Sequence, residues 1–451
     1  MTSAPRPAEA VRREPDTRPE ALRHTATAAL QQGQWAQAAR GFAAVVETEA
    51  RDAEAWLGLG VAELEGKRYG PALHAMQRAL ELAPDNPYVH ANLASVLRVF
   101  GRLDEALAHA RGAATGLPDE PLVQLNVRLL EQDHGELEQA AAGYEALARR
   151  WPHLAVMHYH LGHARLVQGR LAEAEAGLRQ CLSLDARNTE AYHALVALHL
   201  RRAEAAQALA LVEAHRRRVA YDGYDLALRC IALRNLGRTE DAAAIDDTRA
   251  WLQVHQLPQA PPGWPDVPAY NEAILRHVQA HPGLGAHRGQ ATHNGRRIEN
   301  LLENASGPIP ALAWWILECL RGYLDGMRRR PHPLGRLVDG ALELRGWAVL
   351  MHEGGHETPH IHPGGLLSAV YYPAVPEVVQ RGDGDAGRLC FGQPDPMFAL
   401  DTPLAPFGIA PQPGMLVIFP SWHWHHTVPF SSAQPRLSLA FDLFPRPPAP
   451  R

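Results

Sequence analysis

His360-Ile361-His362 sets two imidazoles one residue apart, and the same stretch, HETPHIHPGG, adds His356 and Glu357 just before them. On an extended chain, residues i and i+2 project to one side, so His360 and His362 can reach a single ion. Pro363, Gly364 and Gly365 then end the segment. A further ligand has to come from far along the chain. GMLVIFPSWHWHHTVPF supplies candidates, because His423, His425 and His426 stand at the exit of an apolar run. Arg436 opens the next such run, with Ser438 on its face. Imidazole suits iron, zinc and copper. A metal site is therefore the reading. A chain with 25 histidines forms clusters by chance, so the weight rests on the combination. Glu353, His356 and Glu357 read as a solvated loop, and Trp422 and Trp424 as packing residues. RGDGDAG, residues 381–387, reads as a polar hairpin loop, since it lacks the bidentate Glu of a calcium loop.

The elements that must carry these residues are short. LELRGWAVLMH, LLSAVYYP, GRLCFG, GMLVIFP and RLSLAFDLF are rich in β-branched and aromatic residues and bounded by Gly or Pro. Such strands imply an antiparallel sandwich or jelly roll. Two helical stretches precede them, AYNEAILRHVQAH and PALAWWILECLRGYLDGMRRR.

The first half has another grammar. Trp35, Tyr69, Leu103, Leu137, Leu171, Ala205 and Thr239 recur every 34 residues, each followed three positions later by an alanine, Ala38 through Ala242. Pro84, Pro118 and Pro152 keep the same period. This is the tetratricopeptide pattern, a helix-turn-helix unit that buries its apolar stripe only by stacking on neighbours. Gly60 and Gly162 fall where two helices of a unit approach. In the sixth repeat Arg201 and Arg202 stand where a Gly turn is usual. The expected organisation is α+β and multidomain. It comprises a disordered tail at 1–20, a solenoid of about seven repeats at 21–255, a Pro-rich linker at 256–268 and a β domain with flanking helices at 269–451. The concave face of such a solenoid suits a protein or peptide, or alternatively serves as a spacer or a self-association arm.

Composition removes several classes. The net charge is −5, which gives no case for nucleic acid or a membrane surface. No apolar run approaches the roughly 18 residues of a spanning helix. The N-terminal stretch does not read as a secretory signal. Four scattered cysteines without a CxxC suit a reducing cytoplasm. Abundant Ala and Arg suggest a GC-rich bacterial genome.

HIHPGGLLSAVYYPAVP, GRLCFGQP, PQPGMLVIFPSWHWHHTVPF and RLSLAFDLFP together resemble the Fe(II)- and 2-oxoglutarate-dependent oxygenases, most closely a bacterial branch with tetratricopeptide repeats ahead of the oxygenase domain. The resemblance covers about residues 340–446 and implies a double-stranded β-helix, or jelly roll. It also implies Fe(II), 2-oxoglutarate and dioxygen as cofactor and cosubstrates, and hydroxylation as the reaction. By the family's HxD/E…H…R motif, His360 matches the first ligand and His425 the distal one. Arg436 matches the grip on the 5-carboxylate of 2-oxoglutarate, with Ser438 assisting. Tyr371 or Tyr372 could add a hydroxyl there, or pack in the core. The departure is His362, where most of the superfamily has a carboxylate. It is either a third imidazole ligand, leaving the full metal charge to attract the cosubstrate, or a supporting residue behind a water. A cupin metal protein is the alternative within the fold, although Leu366 and Leu367 stand where a cupin needs Glu. A non-enzymatic adaptor with a degenerate oxygenase domain is the alternative of another class. Repeats beside an oxygenase imply a protein or peptide substrate.

Overall fold

A computed structural model describes residues 18–218, 222–285, 291–303, 305–328, 341–382, 384–398 and 407–445. Most of the expected disordered tail, 1–17, lies outside these, as does part of the 381–387 loop; Pro19 already opens the first helix. Two compact units divide at Val96 and Leu97.

Helix pairs recur at the sequence period. The first unit holds α1 (Pro19–Gln31) with α2 (Trp35–Thr48), and α3 (Ala53–Glu65) with α4 (Tyr69–Leu82); α5 (Pro87–Val99) spans the boundary. The second unit continues with α6 (Leu103–Gly116), then α7 (Pro121–Asp133) with α8 (Leu137–Arg150), and α9 (Ala155–Val167) with α10 (Leu171–Leu184). After them come α11 (Thr189–Arg201) with α12 (Ala205–Arg216), and α13 (Gly223–Asn235) with the short α14 (Thr239–Ala243). Ala38, Ala72, Ala106, Ala140, Ala174, Ala208 and Ala242 are all buried, at 0–1% exposure. A larger side chain there would have to displace the paired helix. At Gly162 the helices touch backbone to backbone, for an added Cβ would lie 2.9 Å from Leu178 N. Between the helices of each pair one residue takes a positive φ. It is glycine at 33, 101, 135, 169 and 237, but Lys67 and Ala203 adopt φ 58 in the same place. The sixth turn thus keeps the repeat geometry without its glycine.

Beyond the repeats, α15 (Thr248–Trp251) leads to β1 (Gln253–Gln256), an edge strand of the sheet within the stretch read as solenoid. The Pro-rich segment that follows is anchored rather than free. Leu257 is buried and donates its N–H to Gly414 O at 2.9 Å, and Trp264 meets Tyr270 edge-on at 4.8 Å. The remaining elements are α16 (Val267–Gln279), β2 (Thr292–Ile298), α17 (Ile309–Met327), β3 (Leu342–His360), β4 (Leu367–Ala374), α18 (Glu377–Gln380), β5 (Leu389–Phe391), β6 (Phe407–Ile409), β7 (Met415–Pro420), β8 (His425–Thr427) and β9 (Arg436–Pro445). The sheet is antiparallel, in the order β1-β7-β4-β9-β3-β8-β5-β6, with β2 also paired to β3.

Strand alternation sorts the sheet's side chains into two layers. Leu437, Leu439, Phe441, Leu367, Ala369 and Tyr371 face α16 and α17, in a core with Tyr270, Ile274, Leu312 and Ile316. Val349, Met351, Val370, Tyr372, Val417, Phe419 and Ala440 form the opposite layer. Among the described residues no helix is long and apolar enough to cross a membrane.

Candidate metal centre

His360 ends β3 and is the register partner of His425 at the start of β8. His362 lies just past the strand, tied down where its N–H donates to Ser421 O at 2.8 Å. The ligand atoms of the three histidines lie within 4.8 Å of one another. Ring centroids are 5.2 Å apart for His360 and His362, 4.2 Å for His360 and His425, and 5.0 Å for His362 and His425.

Each ring is oriented through its Nδ1. That of His360 meets Thr358 O at 2.8 Å, and that of His425 meets His423 O at 2.9 Å. His362 Nδ1 lies 2.9 Å from Asp442 Oδ1 and 3.0 Å from Ser368 Oγ. A backbone carbonyl only accepts, so the Nδ1 of His360 and of His425 carries the proton and leaves the Nε2 lone pair for an ion. Burial pushes His360 down to about 4 and His425 well below its ordinary value. Both are neutral near pH 7, the form that binds metal.

Asp442 is 2% exposed and also accepts from Ser368 Oγ at 2.7 Å. A carboxylate behind an imidazole raises the ring's basicity and fixes its orientation.

Arg436 opens β9 opposite Met351 and is 1% exposed. Its Nη1 approaches Met351 Sδ at 3.7 Å, and its guanidinium lies 5.1 Å from the Tyr372 ring centroid. Its Nε has no hydrogen-bond partner and, among the described residues, no carboxylate lies within ion-pairing distance. Burying a cation without an ion-pair partner costs several kcal/mol; the more distant Glu357 carboxylate offsets part of this, and an incoming anion would offset more. Ser438, on the same face, is 3% exposed. Burial pushes the Tyr372 hydroxyl up to about 12, against the pull of Arg436, so it stays protonated.

The family described as "Putative 2OG-Fe(II) oxygenase" matches residues 345–442. The tetratricopeptide repeat family matches 25–87, 68–121 and 129–186. The chain joins tetratricopeptide repeats to an oxygenase-like domain. Mouse Superkiller complex protein 3 is 34% identical over 79 residues, 18% of this chain, which spans 5% of that protein's length. A crystal structure of YrrB, described as a TPR protein with an unusual peptide-binding site, is 17% identical, covers 40% of this chain and 92% of its own, and has a TM-score of 0.33. A tetratricopeptide repeat protein from Parabacteroides merdae is 16% identical, covering 50% of this chain and 89% of its own at a TM-score of 0.43.

In the oxygenase-like domain, His360, His362 and His425 converge, with Arg436, Ser438 and Tyr372 on the same sheet layer. Tyr371 does not join them. Strand alternation turns it to the helices, where its hydroxyl donates to Asn271 Oδ1 at 2.6 Å. Glu353, His356 and Glu357 belong to β3 rather than to a loop. Glu357 in particular lies beside the site, accepting from Thr292 Oγ1 at 3.2 Å with Arg297 Nη1 at 3.9 Å. Burial alone would raise its carboxyl, but His360, Arg297, Arg436 and His362 outweigh it and hold it below the usual range. His423 is fully buried beside Asp246, 3.2 Å away, and is turned from the other histidines. Asp442 and Ser368 were not found from sequence. The available signal was a charged residue inside the apolar run RLSLAFDLF, in the same alternating set as Arg436 and Ser438.

The last repeat holds both loops that carry the histidines. Gly223 donates its N–H to Pro363 O at 2.8 Å, and an added Cβ would lie 2.7 Å from that oxygen, so glycine is needed there. Tyr224 meets Trp424 edge-on at 6.1 Å. Trp422 Nε1 donates to Ile245 O at 3.2 Å.

Proposed function

We propose that this chain is an Fe(II)- and 2-oxoglutarate-dependent hydroxylase acting on a protein or peptide. One observation carries the reading most of the way: three imidazoles with their Nδ1 atoms engaged converge on one point, on the same sheet layer as a buried guanidinium that lacks a carboxylate partner.

His360, His362 and His425 would hold the metal. Arg436 would pair with the distal carboxylate of 2-oxoglutarate, with Ser438 and the Tyr372 hydroxyl beside it. When bound, Fe(II) with 2-oxoglutarate and dioxygen supplies oxidative decarboxylation coupled to hydroxylation: substrate C–H, 2-oxoglutarate and O2 give substrate C–OH, succinate and CO2. The chain's own part is positional. Asp442 and Ser368 hold His362 on target and place a negative charge behind its ring, which offsets part of the charge that a direct carboxylate ligand would neutralise. Phe419, Phe391 and Trp347 pack around the imidazoles, with ring distances to the nearest histidine of 4.8, 6.3 and 5.1 Å. They keep water from the reacting centre.

The domain assignment follows the same reading: repeats up to α14 that recruit the substrate, and a jelly-roll catalytic domain that takes in β1 (Gln253–Gln256) as its edge strand, the Pro-rich connection after it and the helices from Val267 onward. The bond from Gly223 to Pro363 supports a coupling between the last repeat and the ligand loops. Four free cysteines and the absence of a case for membrane or nucleic acid suit a cytoplasmic bacterial protein.

Succinate release on incubation with Fe(II), ascorbate and 2-oxoglutarate tests the activity. We expect release that is lost in His425→Ala, and a +16 Da shift on whatever the His425→Ala chain captures when that product is exposed to the wild-type chain. No succinate above background from a metal-loaded chain, with captured partners also supplied, would reject the hydroxylase.

A further inference from the structure

Away from this centre, a second group of ligand-type side chains meets within the repeats. His193 on α11, His215 on α12 and Asp222, the N-cap of α13, present candidate ligand atoms within 4.8 Å of one another. Asp225 lies just behind them on α13 and is 1% exposed.

One of its two imidazoles is held as those of the first are. His215 Nδ1 lies 2.7 Å from Asp225 Oδ2, and both side chains are buried. This directs the other ring nitrogen of His215 elsewhere, the arrangement seen where a carboxylate orients a metal-binding imidazole. His193 Nε2 is buried and has no hydrogen-bond partner. The nearest carboxylate oxygens, Asp222 Oδ2 and Asp225 Oδ1, stand 3.5 Å from it. That is long for a hydrogen bond, but it is near the ~3.4 Å edge of a tetrahedron whose N and O ligands lie about 2.1 Å from a central ion. Asp222 is fixed in place because its Oδ1 caps α13, accepting from Tyr224 N at 2.8 Å. Tyr224 stacks on the His193 ring at 4.7 Å and closes one side.

We propose that His193, His215 and Asp222 form a second, structural metal site for a borderline transition ion such as Zn2+, with Asp225 positioning His215. Two imidazoles disfavour Ca2+ and Mg2+, which take oxygen ligands. The site needs no contribution from the His360–His362–His425 centre and does not rest on the hydroxylase reading. Its ion would brace the α12–α13 junction, from which Gly223 and Tyr224 reach the loops at Pro363 and Trp424.

The test uses the full chain with the first centre disabled as His360→Ala/His425→Ala, stripped of metal, exposed to Zn2+ and passed over a weak chelator. Bound zinc is then counted, and Tm is measured with and without the ion. We expect about one retained zinc per chain and a zinc-dependent rise in Tm. Both should disappear when His193→Gln is added. Asp222→Asn, which keeps the helix cap, serves as a second variant should His193→Gln fold poorly, and zinc should be weakened at least tenfold there. Absence of retained zinc in the His360→Ala/His425→Ala chain would overturn the proposal and leave a metal-free polar network. So would equal zinc retention with His193→Gln or Asp222→Asn present.

Discussion

In the repeats, one backbone position recurs at residues 33, 67, 101, 135, 169, 203 and 237, each time with a positive φ, and one buried alanine recurs beside it. In the sheet, each residue of the candidate metal centre occurs once, and its orientation depends on a particular partner: Thr358 for His360, His423 for His425, Asp442 for His362. The difference lies in tolerance. A repeated position can absorb an exception, as Lys67 and Ala203 show, because neighbouring turns impose the same geometry. A single-copy centre has no second copy to fall back on, so loss of one partner should appear in function before it appears in folding.

Arg436 should separate function from stability most sharply. Arg436→Met should raise the KM for 2-oxoglutarate about a hundredfold, the loss of roughly one bidentate charge-assisted contact. Its Tm without cosubstrate should equal or exceed that of wild type, since a buried unpaired charge has been removed. A lower Tm with KM unchanged would make Arg436 a structural residue. Asp442→Asn comes next. Metal affinity, read by competitive titration, should fall 10–100-fold, while far-UV circular dichroism stays the same; unchanged affinity would mean that His362 needs no carboxylate behind it. In the repeats, Ala140→Leu should cost about 1–3 kcal/mol in denaturant unfolding through overpacking. Ala206→Leu, on the exposed face of α12, should stay within about 0.5 kcal/mol. Equal costs would break the assignment of the alanine period to helix packing. The smallest effect is expected from Ala203→Gly, a gain of up to about 1 kcal/mol as the left-handed residue loses its Cβ strain. A loss there would mean that the sixth turn is not strained.

Legibility followed the same division. The repeats were readable because period, alanine and glycine signals each recur, and the helix starts at 35, 69, 103, 137, 171, 205 and 239 coincide with the periodic residues. In the sheet, the five runs rich in β-branched residues all became strands. The edge strand Gln253–Gln256 carries little apolar signal, and its pairing with β7 is set by tertiary context. The three-residue β8 is too short to show alternation. Tyr371 and Tyr372 could not be separated from sequence, because both are large and apolar in a strand buried on both faces; only the layer each faces decides between them. Asp442 is hidden in the sequence for a related reason. Its role depends on His362, eighty positions earlier in the chain, and no local pattern links the two.

The proposed site would hold a metal at His360, His362 and His425 and a keto-diacid at Arg436. Calorimetric titration of 2-oxoglutarate into the anaerobic chain, with and without Fe(II), tests it most directly. Binding should require the metal, fall sharply in Arg436→Met and vanish in His360→Ala/His425→Ala. Binding of equal strength without metal, or none by the metal-loaded wild-type chain, would contradict it.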